Sequence, residues 1–127
     1  MNGRMNKWAR LRHMIHGADV VVLVVDARDI AGTRLPVAER WAGSKRLLMV
    51  ANKTDLLPEG AKPPVLPNRG ISLSAVESGD EGRRMLMRAV MARSEKRPVR
   101  ALFIGYPNVG KSSLINLLAG RKVAKVS

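Results

Sequence analysis

The sequence predicts an α/β fold built on a parallel sheet, and three observations carry that expectation. Two apolar runs, Val20–Val25 and Leu47–Ala51, show no polar alternation, as expected of strands covered by helices on both faces. Apolar segments of strand length alternate with segments of helical period along the chain. A glycine-bracketed stretch, "GYPNVGKS" from Gly105 to Ser112, follows one such segment and precedes a helical one.

Taken in order, Trp8, Leu11 and Ile15 recur at helical spacing between about Met5 and Ile15, with Arg10 and Arg12 outward and Gly17 as a stop. "ADVVVLVVDARD" supplies the first strand. Pro36 to Ala42 reads as a short helix, with proline in its first turn and Gly43 past its end. Leu47–Ala51 is the second strand. Four prolines and a glycine make Leu57 to Asn68 a loop. "GISLSA" reads as a third, short strand. Ser78 and Glu81 are spaced as a capping box and open a helix with Leu86, Ala89 and Val90 inward, ending before Pro98. "RALFIG" is the fourth strand, and Gly110 to Leu118 the helix after it.

The chain has 127 residues and 46% apolar content but only 3% aromatic, so aliphatic side chains and methionine must fill one core. It has no cysteine, which excludes disulfides and thiolate metal sites. Its longest apolar run falls far short of the ~20 residues of a spanning helix, and no cleavage site follows it. The expectation is a cytoplasmic protein with no membrane association. The net charge of +13, from 23 basic and 10 acidic residues, points to an anionic partner. Seven basic residues and a single acid, Glu95, lie between Arg83 and Arg100, a cluster that suits nucleic acid.

"GYPNVGKS" matches G-x-x-x-x-G-K-[ST] in full. Gly105 and Gly110 permit a tight loop whose backbone N–H groups turn in on phosphate oxygens, and the following helix adds its positive dipole end. Lys111 neutralises the outer phosphates, and the Ser112 hydroxyl is a magnesium ligand. "NKTD", Asn52 to Asp55, follows a buried strand directly. Asp55 would accept hydrogen bonds from guanine N1 and N2, which adenine cannot donate. Asn52 would reach base N7 or tie this loop to the phosphate loop, and the Lys53 stem would lie along base and ribose. In "SLSA", the Ala75 N–H is a candidate donor to guanine O6, with Ser74 shaping the turn. His13 and His16 read as surface or packing residues, since no third ligand is placed near them. Asp26, Arg28 and Asp29 in "DARD" end a parallel strand, where α/β sites form; the preferred reading is a turn held by Asx-type hydrogen bonds.

The order "NKTD", then "SA", then "GYPNVGKSSLIN" resembles the circularly permuted GTPases of the YlqF/YawG group, in which the phosphate loop comes last. "DVVVLVVDARDIAGTR" is similar to that group's opening strand and turn, with Ile30 where proline is frequent. The resemblance runs from about Trp8 onward. It implies a Ras-like P-loop NTPase three-layer sandwich, circularly permuted, over residues 1–127, with a basic helix over 1–17 preceding the sheet. It also implies GTP/GDP and Mg2+ as cofactors, GTP hydrolysis, and a role in ribosome assembly with ribosomal RNA or a pre-ribosomal subunit as partner. By motif match, Asn52, Lys53 and Asp55 read the base, and Ser74 and Ala75 support it. Asn108, Val109, Gly110, Lys111, Ser112 and Ser113 hold phosphates, with Lys111 catalytic and Ser112 on the metal.

The family pattern continues with a switch threonine and a D-x-x-G strand. Neither occurs after Gly120, so the domain reads as incomplete, with weak or no hydrolysis of its own. The alternative is a basic RNA-binding module that binds guanine nucleotide without turnover. The expected strand order is 100–104, 20–25, 47–51, 71–74, all parallel, with 100–104 on an edge.

Overall fold

The computed structural model describes residues 6–119. The basic tail after Gly120 and the first five residues lie outside the described residues. Helix α1, Lys7–Gly17, starts where Asn6 caps it, its side-chain oxygen accepting from the Ala9 N–H at 2.7 Å. Strand β1 is Val20–Asp26. A one-turn helix α2, Ile30–Thr33, leads into α3, Pro36–Arg46, and then β2, Leu47–Asn52. Strand β3, Ile71–Ser72, helix α4, Gly79–Met91, strand β4, Ala101–Ile104, and helix α5, Lys111–Ala119, complete the described order.

The sheet runs β3-β2-β1-β4, and every pairing is parallel. This is the order expected from the sequence, with β4 on an edge. Successive residues of β1 and β2 point to opposite faces, and both faces are buried. On one face Val21, Leu23, Val25, Met49 and Ile104 pack with Ile15 of α1 and Ala38 and Ala42 of α3. On the other face Val22, Val24, Val50 and Phe103 pack with Leu86 and Val90 of α4 and Leu114 and Ile115 of α5. Two-sided burial explains why these strands read as unbroken apolar runs. Leu102, Phe103 and Ile104 are also buried, so the β4 edge offers its backbone rather than its apolar side chains.

Two details differ from the sequence reading. Helix α3 continues past Gly43, which breaks it with φ at 76°, to Arg46. Arg46 then donates to the carbonyls of Ile15 at 2.7 Å, Ala18 at 2.9 Å and Ala42 at 3.1 Å. One guanidinium thus satisfies open carbonyls at the ends of both helices, which the proline–glycine punctuation could not reveal. The capping box at Ser78 and Glu81 is not formed. Ser78 makes no side-chain cap; its Oγ instead accepts from the Ser74 N–H at 2.9 Å, because the "SLSA" turn folds back over the start of α4.

Candidate functional site

All three motif loops leave the C-terminal ends of the strands. "NKTD" follows β2, "SLSA" follows β3 and "GYPNVGKS" follows β4. In a parallel sheet those ends lie together, so the order of the loops along the chain does not matter to the site they form.

Asn52 joins the three loops. It is 3% exposed. Its Nδ2 donates to the Val109 carbonyl at 3.0 Å, and its Oδ1 accepts the Ala75 N–H at 2.9 Å. Of the two roles open to Asn52 in the sequence, the structure supports the tie to the phosphate loop. The same bond engages the Ala75 N–H, the group that the sequence offered as a donor to a base oxygen. Gly110 explains its own identity here. Its φ of 93° is in the region that favours glycine, and an added Cβ would collide with Asn52 Nδ2.

Lys53 adopts a left-handed conformation with φ at 71°, which swings its side chain across to the phosphate loop. Its ammonium donates to the Asn108 carbonyl and lies 3.8 Å from Asp26 Oδ2. Asp55 is exposed, and its Oδ1 accepts the Ser74 hydroxyl at 2.8 Å. Ser74 therefore orients the carboxylate, a sharper role than shaping its turn. Asn108 has φ at 69°, Val109 is buried in the core, and Gly105 passes so close to the Val24 carbonyl that a side chain there would clash. Lys111 and Ser112 begin α5, and Ser113 follows in the same turn. The fully matched motif thus sits on a helix N-terminus, as phosphate binding requires.

The "DARD" turn is held as expected. Asp26 Oδ1 accepts the Arg28 N–H at 2.9 Å, and Asp29 Oδ1 accepts the Gly32 N–H at 2.9 Å. Asp26 also reaches beyond the turn that the sequence reading preferred for it, toward the loop after β2. Arg28 binds it in a fork, Nε to Oδ1 at 3.0 Å and Nη2 to Oδ2 at 2.8 Å, while Lys53 approaches from the neighbouring strand end. The Arg28 hydrogen bonds, followed by the charges of Arg28 and Lys53, outweigh burial and hold the Asp26 pKa at about 2, below its ordinary 3.8. The clue was its position at the end of a central strand.

This gives a test by acid titration. A carboxylate whose folded pKa is depressed adds stability above its unfolded pKa and loses it as pH falls. The Asp26 contribution should be complete above about pH 4 and fade toward pH 2. Urea midpoints across that range should show a component that shrinks in Arg28→Ala. An unchanged profile in that variant would reject the pairing.

Residues 100–127 match the family described as "50S ribosome-binding GTPase". Over 133 aligned residues, 94% of the chain, it is 38% identical to the "Nuclear/nucleolar GTPase 2" of Oryza sativa subsp. indica and 33% identical to the "Nucleolar GTP-binding protein 2" of Schizosaccharomyces pombe. The GNP-bound YlqF of T. maritima superposes with a TM-score of 0.61 at 22% identity, over 92% of this chain and 49% of that one. The chain shares the fold of YlqF and, over 94% of its length, is similar in sequence to one segment of the nucleolar GTPases. The permuted domain spans about a quarter of the length of these curated relatives, 25% of each. Their names are nuclear and nucleolar, and they overturn the cytoplasmic expectation. That expectation rested on the lack of an export signal, which does not separate nucleus from cytoplasm. No helix among the described residues is long and apolar enough to cross a membrane.

Proposed function

We propose that this permuted domain binds guanine nucleotide with magnesium and serves GTP hydrolysis in ribosome assembly, with ribosomal RNA as a partner. The observation that carries the reading is Asn52, whose amide bonds both the phosphate loop and the "SLSA" turn. Base-reading and phosphate-holding elements are thereby parts of one site. Nucleolar relatives and the ribosome-binding family description support the assembly role.

In this reading Asp55, steadied by Ser74, accepts the two guanine N–H groups. Lys53, pinned between Asn108 and Asp26, lays its stem along the base. The turn from Asn108 to Gly110 directs N–H groups at the phosphates, and Lys111 neutralises their charge, followed by Ser112 and Ser113. Phosphoryl transfer depends mainly on positioning and charge stabilisation, so Lys111 is the catalytic side chain of this segment. The residues fit magnesium in its usual manner. Among the described residues no three His, Asp or Glu cluster around a metal position, and Ser112 offers an exposed hydroxyl in the first turn of α5. An ion held by phosphates, one hydroxyl and water suits magnesium. When bound it would neutralise charge developing on the phosphates.

Titration with fluorescent GDP and magnesium tests the reading, with ADP as competitor. GDP should compete and ADP should not. Lys111→Ala should weaken nucleotide binding by about 10- to 100-fold, the worth of a charge-assisted hydrogen bond of ~1.5–3 kcal/mol. Equal competition by ADP, or an unaffected Lys111→Ala variant, would reject it.

A further inference from the structure

At the opposite end of the sheet, where the strands begin, Lys45, Arg69, Arg88 and Arg93 line a cavity of about 710 Å³. Glu95 is the one acidic residue on its wall. The four cations take part in no ion pair among the described residues, whereas Arg28, Arg34, Lys53, Arg83 and Lys96 each have a carboxylate. The excess positive charge here is uncompensated by the fold.

The cleft is also built rather than incidental. Arg93 is fixed by donating to the carbonyls of Leu47 at 2.9 Å, Ala89 at 2.9 Å and Asn68 at 2.7 Å. Asn68 in turn donates to the carbonyls of Ser44 and, at 2.8 Å, Leu47. Asn68 and Arg69 both hold left-handed backbone, with φ at 59° and 56°, so the rim of the cleft is set at a conformational cost. That geometry keeps Arg69 beside Arg93. Burial, and then the charge of Arg69, lower the Arg93 pKa. Neither Arg69 nor Arg93 has a carboxylate partner among the described residues, so a phosphate from outside would meet uncompensated positive charge here.

A second cavity, of about 630 Å³, begins at the residue after Glu95. Lys96, Arg97 and Arg100 line it, with His16 and Asp19. Ser94 and Glu95 line the first and Lys96 and Arg97 the second, so two basic hollows follow one another along the chain and fit a run of phosphates better than a single small anion. Strand β1, of seven residues, separates this end from the nucleotide loops by roughly 20 Å, so both ligands fit at once.

We propose that the Lys45–Arg69–Arg88–Arg93 cleft binds the phosphodiester backbone of RNA. The proposal rests on the reading of an RNA partner and assigns it a surface. Phosphate contacts set affinity and its salt dependence, with little sequence preference.

The test is fluorescence anisotropy with a labelled single-stranded RNA of about 20 nucleotides, across a range of salt. Arg69→Glu with Arg88→Glu is compared with a charge-matched pair on α1 and α3, Arg10→Glu with Arg40→Glu. The cleft pair should lose at least about 10-fold more affinity than the control pair. Its slope of log affinity against log salt should fall by about 1.4, two contacts at ~0.7 each. Arg69→Gln with Arg88→Gln should show a smaller loss in the same direction. GDP affinity should be unchanged in every variant, which also certifies folding. Equal losses in the two charge-reversed pairs would overturn the cleft and leave only diffuse attraction. Loss of polyglutamate binding with RNA binding intact would overturn it too, by assigning the surface to an acidic protein. If the parent chain binds no GDP, the nucleotide reading falls, while the comparison of the two pairs still decides the cleft.

Discussion

Asp55→Asn is expected to lower GDP affinity by about 10²- to 10⁴-fold, from the loss of two hydrogen bonds to a carboxylate at ~1.5–3 kcal/mol each. It should turn the preference toward xanthosine diphosphate. The carboxylate is exposed and steadied through one oxygen by the Ser74 hydroxyl, so its remaining lone pairs face outward with their direction set. An asparagine presents a donor where guanine also donates, and the two repel. Xanthine carries an oxygen at that position and accepts instead. A site built to pair polar groups discriminates strongly because the wrong base leaves them unpaired. Competition of labelled GDP by unlabelled GDP, xanthosine diphosphate and ADP provides the measurement. Because Asp55 is exposed and an asparagine keeps an oxygen to accept from Ser74, the thermal midpoint should stay within a few degrees of the parent. A variant that keeps its preference for GDP would remove Asp55 from base recognition. Ser74→Ala should follow the same trend more weakly, since it frees the carboxylate without removing it.

The strands and their order were legible because two-sided burial writes itself as unbroken β-branched sequence, and Val20–Asp26 and Leu47–Asn52 are buried throughout. The phosphate loop was legible because its glycines are demanded by backbone geometry, at Gly105 by the Val24 carbonyl and at Gly110 by Asn52. Polar side chains that bridge distant segments were not. Ser78 has the spacing of a helix cap, yet its hydroxyl serves Ser74, and local spacing cannot distinguish the two uses. Ala75 matched its motif, but whether its N–H faces a base or Asn52 depends on how two loops meet. Asp26 satisfied the turn assigned to it and also reaches Lys53 from the next strand, a contact fixed only by parallel register. The basic cleft lay partly in view as a run of arginines. Its focus on Arg69 and Arg93 comes from a left-handed loop that the prolines announced only as irregular.

Asn52→Ala should be among the most damaging single substitutions in the chain. The side chain is almost fully buried and makes one bond as donor and one as acceptor, to Val109 and to Ala75. Truncation leaves a carbonyl and an N–H without partners in a site that alanine cannot hydrate well. Each costs about 1–3 kcal/mol, so a total of ~2–6 kcal/mol and a fall in the thermal midpoint of roughly 10–20 °C are expected. Asn52→Asp separates the two halves of the role. The carboxylate still accepts from Ala75 but turns an anion on the Val109 carbonyl, so the phosphate loop should be the part released. Both variants should bind GDP at least about 100-fold more weakly, because the three loops no longer share one frame and ordering them must be repaid from binding energy. Thermal unfolding followed by circular dichroism, and GDP titration well below each midpoint, distinguish loss of the site from loss of the fold. Asp55→Asn supplies the contrast, with affinity lost and stability kept. An Asn52→Ala chain that melts within about 2 °C of the parent and binds GDP as tightly would show that the loops hold their positions without it.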